Sequence, residues 1–298
     1  MSKNVKENAA VIDTSAPKRE NQILATAKIV LKNPGSVVGI IMIALIIIAC
    51  VVVPLVSPYT YSQIDPSHAL QAPSLAHPFG TDQYGRDVLV RVTYGARYTL
   101  SIGVFSTLIS VVLGVLVGAI AGFFGGWIDN LFMRVLDVIQ AFPQLLMAIT
   151  LSAVFGTGFD KTIIAIGITG FPAVARMLRA NILTVRRQEY IEAAVTINCN
   201  TPRIIMQHAL PNAVSPLIVQ IAMDIARAGM TAAALSFIGL GVQEPTPEWG
   251  ALLSAGRSFI RDYSYLCLFP GLAIMLTTLS FNLIGDGLRD ALDPKLRR

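Results

Sequence analysis

The sequence predicts an all-α integral membrane protein with six transmembrane helices. Three observations carry that expectation. Of 298 residues, 54% are hydrophobic and only 14% charged, where a soluble domain carries about 25% charged residues. The mean hydropathy is +0.62. Six runs of roughly the twenty apolar residues that a bilayer demands recur along the chain.

The elements follow in order. Residues 1–35 are expected to be a cytoplasmic tail, of which residues 1–22 are polar, without helical or strand period and expected to be mobile. No cleavable signal peptide is expected, because no apolar core with a small-residue cleavage site lies in reach. Residues 36–97 hold the first span, about 36–57, and an external loop. Residues 98–298 form the core, with spans expected near 98–124, 131–155, 162–180, 214–240 and 264–285. The third is read as continuing past Pro143. The fourth is weaker, interrupted by Gly167, Gly170 and Pro172. The second carries Gly114 and Gly118 as a GxxxG among other small residues, which predicts close helix packing in lipid.

Orientation follows from charge. With the amino terminus inside, sixteen of the 23 Lys and Arg fall in inside segments and six in outside ones, and Arg227 lies within a span. The positive-inside rule then places both termini in the cytoplasm. The net charge of +5 thus reads as membrane-flanking, with no nucleic-acid partner expected. Cys50, Cys199 and Cys267 make neither a disulfide framework nor a metal spacing. His68, His77 and His208 fall in segments on both sides, and no metal site is expected.

The segment 181–212 is then cytoplasmic and of mixed polarity. Glu189 to Ile197 suits a short helix, with Glu189 and Glu192 near its positive end. The pattern breaks at Asn198-Cys199-Asn200. Thr201-Pro202 reads as an N-cap and first turn of a second short helix, about 202–209, ending before Leu210-Pro211. Spacing alone fits a docking element and a plain connector equally.

The residues Glu192-Ala193-Ala194, a turn residue at Asn198 and then Leu210-Pro211 resemble the EAA loop of ABC importer permeases. Asn198 stands where that family usually has Gly; Asn is the next most tolerant of a left-handed turn. HPFGTDQYGRDVLVRVTYGAR (77–97), LSFIGLGVQEPTPEWGALL (235–253) and FNLIGDGLRDALDPKLR (281–297) resemble the dipeptide, oligopeptide and nickel branch, C-type subunit. The resemblance implies the type I importer permease fold, with cytoplasmic coupling helices that dock into an ATPase groove. It implies no catalytic residue on this chain and, as partners, a homologous second permease, two ATPase subunits and a substrate-binding protein. It places the chain in a bacterial or archaeal inner membrane. The phosphate-loop pattern GxxxxGK[ST] is absent, so ATP and Mg are expected on the ATPase subunits. Peptide is the leading cargo, nickel or a metal chelate the alternative. An ion-coupled secondary transporter would need intramembrane carboxylates or repeats, and a membrane enzyme would need clustered reactive groups; Asp224 is the one clear mid-span carboxylate.

Asp224 and Arg227, three apart on one helix face, either line the pathway and meet the termini of a zwitterionic peptide, or form a structural ion pair, or contact the partner permease. Related permeases often carry a Glu shortly before the LSF stretch; Met230 to Ala234 here has none. Arg134 and Asp137 are read as a local pair near a span end. Gly80, Asp82, Arg86 and Asp87 form an external segment that either docks the binding protein, plugs the pathway, or is a turn capped by its own Asp side chains. Glu244 to Trp249 reads as a rigid external turn, Trp249 anchoring at the interface.

Overall fold

The computed structural model describes residues 22–292; most of the predicted mobile tail lies outside them. Among the described residues the regular structure is helical. Helix α1 (Gln22–Lys32) leads into α2 (Pro34–Val56) across Asn33. The Asn33 side chain accepts from the amides of Gly35 and Ser36, and Pro34 fills the first turn, where its missing N–H costs nothing. A loop with one 3₁₀ turn, Pro66–His68, leads to α3 (Val88–Phe124). Then come α4 (Gly126–Gln140), α5 (Gln144–Phe155) and α6 (Phe159–Arg186). Short segments α7 (Glu189–Thr196), α8 (Thr201–Arg203), a π turn (Ile204–Ala209) and α9 (Leu210–Ala213) lead into α10 (Ser215–Phe237). Helix α11 (Trp249–Gly256) and α12 (Tyr265–Leu292) complete the bundle.

Five of these, α2, α3, α6, α10 and α12, are long and apolar enough to cross a membrane, and α4 with α5 makes a sixth as a bent pair. The third span is therefore not continuous past Pro143: the two halves meet at 84°. The reason is local. Pro143 lacks an N–H and disfavours helical backbone at Phe142, so α4 ends at Gln140. Pro143 itself is extended (φ −54°, ψ 132°) and caps α5. The fourth span, by contrast, is unbroken. Gly167 and Gly170 sit where a Cβ would fall 2.7 Å from Ile109 and 2.5 Å from Ser110, so they serve packing against α3.

The tightest seam runs between α3 and α6. Gly114, Gly118 and Gly122 form one stripe on α3. A Cβ at these positions would lie 2.6 Å from Val174, 2.5 Å from the Ala175 carbonyl oxygen and 2.9 Å from that of Arg179. The spacing seen in the sequence as GxxxG thus extends one turn further and lets two backbones touch. Helix α12 packs on α2 in the same way, with Gly39 against Ser280 and Ser36 donating to the Leu283 carbonyl at 3.3 Å.

Trp249 does not anchor at an interface. It is buried, and its indole N–H donates to the Val92 carbonyl at 2.8 Å. Gly95 permits this: a Cβ there would sit 1.9 Å from the Pro247 oxygen, so the 244–249 turn lies flat on α3.

Candidate functional site

Three polar regions stand out on this scaffold, one at each end of the bundle and one within it.

At the end where α3 finishes and α6 leaves the bundle, α7 forms as its sequence predicts. Asn198 takes the left-handed conformation (φ 58°). The Cys199 amide returns to the Ala194 carbonyl at 3.1 Å and the Asn198 amide to Val195 at 2.9 Å, the hydrogen-bond pattern that closes a helix on a left-handed residue. The following segment differs from expectation. Asn200 precedes the helix in place of Thr201, and its side chain makes no cap bond. The helix runs on past Leu210-Pro211 to Ala213, because a π turn widens it: the Leu210 amide bonds to Ile205, five residues back. The wider turn takes the ring of Pro211, which a regular turn would crowd.

Two faces result. Ile191 and Ala194 are buried with Leu178, Ile182, Ile204, Ala209 and Ala213. Ala194, at 7% exposed, thus seats α7 on its own chain. Ala193 and Glu192 point outward. Around them Tyr190, Val195, Ile197 and Met206 are exposed, Ile197 at 79%. Leu210 is half-buried beside the cluster, and Pro211 is exposed. Sequence reasoning missed this apolar patch; its signal was a set of large apolar residues in a segment too short and polar to enter lipid. No ion pair or side-chain hydrogen bond among the described residues engages the Glu192 carboxylate. An apolar patch rimmed by carboxylates, resting on a rigid cluster, is what a helix-in-groove contact requires.

At the other end, Gly80, Asp82, Arg86 and Asp87 come together with residues the sequence did not single out. Asp82 accepts from Arg86 Nε at 2.6 Å and from the amides of Tyr84 and Arg86. Arg86 and Arg91 both donate to Glu244 Oε1 at 3.0 Å, tying this loop to the 244–249 turn. Asp87 caps α3 through the Val90 amide and pairs with His77 at 2.8 Å. Gly80 and Gly85 are left-handed (φ 76° and 73°), and a Cβ at Gly85 would sit 1.7 Å from the Asp65 oxygen. Asp82, Arg86 and Asp87 are buried and internally paired, so their side chains hold the loop's shape. The exposed Asp65 carboxyl is held below its usual range by the Ser67 hydroxyl and then His68. Glu248, fully buried, caps α11 through the Gly250 and Ala251 amides and accepts from Thr99. Burial pushes its carboxyl up, and hydrogen bonds from Ser236, Ala251, Thr99 and Gly250 oppose this. Among the described residues no group of His, Cys, Asp and Glu gathers as a metal site.

Within the bundle, Asp224 Oδ1 accepts from Arg227 Nη1 at 2.6 Å and from Gln220 Nε2 at 2.9 Å. Both residues line a small recess of about 30 Å³ with Ser106, Thr107, Ser110 and Gln144. Asp137 does not pair locally with Arg134; it bonds Arg176 of α6 at 2.8 Å. Asp129 engages Arg179 through both carboxylate oxygens. These two pairs pin α4 to α6 across a separation of 39 and 50 residues, which no local spacing rule could reveal.

Two family models match the chain. The model of the binding-protein-dependent transport system inner membrane component family matches residues 114–298. That of the N-terminal TM domain of oligopeptide transport permease C matches residues 26–73. The chain is 42% identical to the dipeptide transport system permease protein DppC of Alkalihalophilus pseudofirmus, covering 96% of each chain. It is 45% identical to the glutathione transport system permease protein GsiD of Escherichia coli, over 86% of this chain and 85% of that one. Among solved structures, the MetNI methionine ABC transporter in an inward-facing conformation superposes with TM-score 0.56 at 17% identity. The match covers 68% of this chain and 96% of that one, and shows a shared fold.

Proposed function

The chain belongs to the binding-protein-dependent transport system inner membrane component family, and from that premise we propose that it forms half of an ATP-driven import pathway for di- and oligopeptides. The names of its relatives, a dipeptide and a glutathione permease, support the peptide cargo. The observation that carries the coupling role is the exposed α7 face, where Glu192 and Ala193 stand clear of the chain among exposed apolar residues. That face would enter a groove on an ATPase subunit and pass its movement through the buried Ile191–Ala194 side into α6. A second, homologous permease chain would complete the pathway, and two ATPase subunits and a substrate-binding protein the importer. ATP and Mg would reside on the ATPases.

The reading also sets orientation. The α7 end faces the cytoplasm together with both termini, and the Asp82–Arg86–Glu244 loop faces outward toward the binding protein, in a bacterial or archaeal inner membrane. Asp224 and Arg227 are assigned to the pathway lining, since charged groups at mid-span seek a polar cavity and avoid lipid.

The test is composition. Isolated from its native membrane in mild detergent by a carboxyl-terminal tag, the chain should bring down an ATPase chain and a second permease in stoichiometric amounts. Recovery of the chain as an isolated homo-oligomer, still folded, would refute the assignment.

A further inference from the structure

The recess around Asp224 has features that a mere ion pair does not need. Both hydrogen bonds to that carboxylate fall on Oδ1, from Gln220 and Arg227, and leave Oδ2 for another donor. Thr107, on the opposite wall, is 3% exposed, and its hydroxyl has no hydrogen-bond partner. A helical threonine normally returns its hydroxyl to a carbonyl three or four residues back, as Thr93 and Thr150 do here. Leaving it free within the protein costs stability unless something else uses it. Gln144 offers both a donor and an acceptor at the same recess and also borders a second, larger one of about 380 Å³ beside the α4–α5 bend. The second recess, alone or with the first, falls in the size range of small-molecule sites, about 300–1,000 Å³. The charges at the recess sum to zero, and half of the Arg227 side chain remains exposed.

From this geometry we propose that the recess, with the larger one that shares its Gln144 and Ala173 wall, is a cargo-reading site within the membrane, built for the amino-terminal residue of a peptide with a free α-ammonium. The ammonium donates to Asp224 Oδ2. The first peptide carbonyl accepts from Thr107 Oγ1. The remaining donors of Arg227 meet the carboxylate of a dipeptide, and longer peptides extend past Gln144 into the larger recess. The neutral sum matches a zwitterion and does not favour a bare metal cation. The proposal rests on the peptide-importer reading above and adds that this chain, and not the binding protein alone, selects the cargo.

The test separates the two. The full complex with its binding protein, in proteoliposomes, is given a labelled dipeptide at a concentration that saturates the binding protein. ATP hydrolysis and peptide delivered are both measured. Asp224→Asn and Thr107→Val are compared with the parent, the delivery by each normalised to its own ATP hydrolysis. Peptide delivered per ATP should fall roughly tenfold or more for the first and about threefold for the second, the scale of a lost charged and a lost neutral hydrogen bond. Unchanged delivery per ATP in both variants would overturn the site. If Asp224→Asn fails to assemble, Thr107→Val decides alone. A parent complex whose ATPase no peptide stimulates would instead defeat the importer reading and leave the site without a cargo.

Discussion

Replacing Gly118 with valine is expected to abolish assembly of the protein. The Cβ alone would lie 2.5 Å from the Ala175 carbonyl oxygen, 3.2 Å from its carbon and 3.1 Å from the Leu178 Cβ. The obstacle is backbone on one side and a fully buried side chain on the other, so no flexible tip can swing away. Helices α3 and α6 would have to separate along the stripe that Gly114 and Gly122 continue. Overpacking costs typically about 1–3 kcal/mol even where neighbours yield, and here the upper end or beyond is expected. Membrane accumulation and the melting temperature of the detergent-extracted chain measure it. Gly271, where a Cβ meets nothing within 4 Å, supplies the control: Gly271→Ala should leave both unchanged.

Glu192→Lys is expected to leave that packing intact and to break function. Glu192 is exposed, and α7 is held by Ile191 and Ala194 on the other face. The variant chain should therefore reach the membrane at normal levels. Its interface with the ATPase would exchange an attractive contact for like charges, a change of about 2–5 kcal/mol when the contact is buried on docking. That is at least a roughly 30-fold loss of ATPase affinity. Co-purified ATPase and peptide uptake should fall together, and Glu192→Gln should fall between the two. Wild-type uptake in Glu192→Lys would remove Glu192 from the docking surface.

The long elements were legible in the sequence because a bilayer demands about twenty apolar residues whatever their neighbours. Helix α7 and the break after it were legible locally, and the left-handed turn at Asn198 through the resemblance to a family that usually has Gly at that position. What escaped depends on contacts distant in sequence. Trp249 reads as an interfacial anchor until Gly95 is found beneath it. Asp137 reads in the sequence as paired with Arg134 three residues away, whereas its partner, Arg176, approaches from another helix. The 84° bend at Pro143 had a local signal, a proline in mid-span, but apolar length concealed it. The face of Ala194 was undecided by composition, since alanine suits both a docking surface and a core; in the structure it packs into the buried cluster beneath α7. The tie of Arg86 and Arg91 to Glu244 spans more than 150 residues and left no local trace.

The central claim is that this chain couples ATP hydrolysis on other subunits to peptide entry. It is tested most directly by the ATPase activity of the purified complex in lipid, with its binding protein present. A dipeptide, a longer peptide and a nickel chelate are added in turn. The account predicts several-fold stimulation by the peptides and none by the chelate. Stimulation by the chelate alone would contradict the peptide cargo. An intact complex with no ATPase activity under any condition would contradict the importer and return attention to Asp224 as an ion-coupling carboxylate.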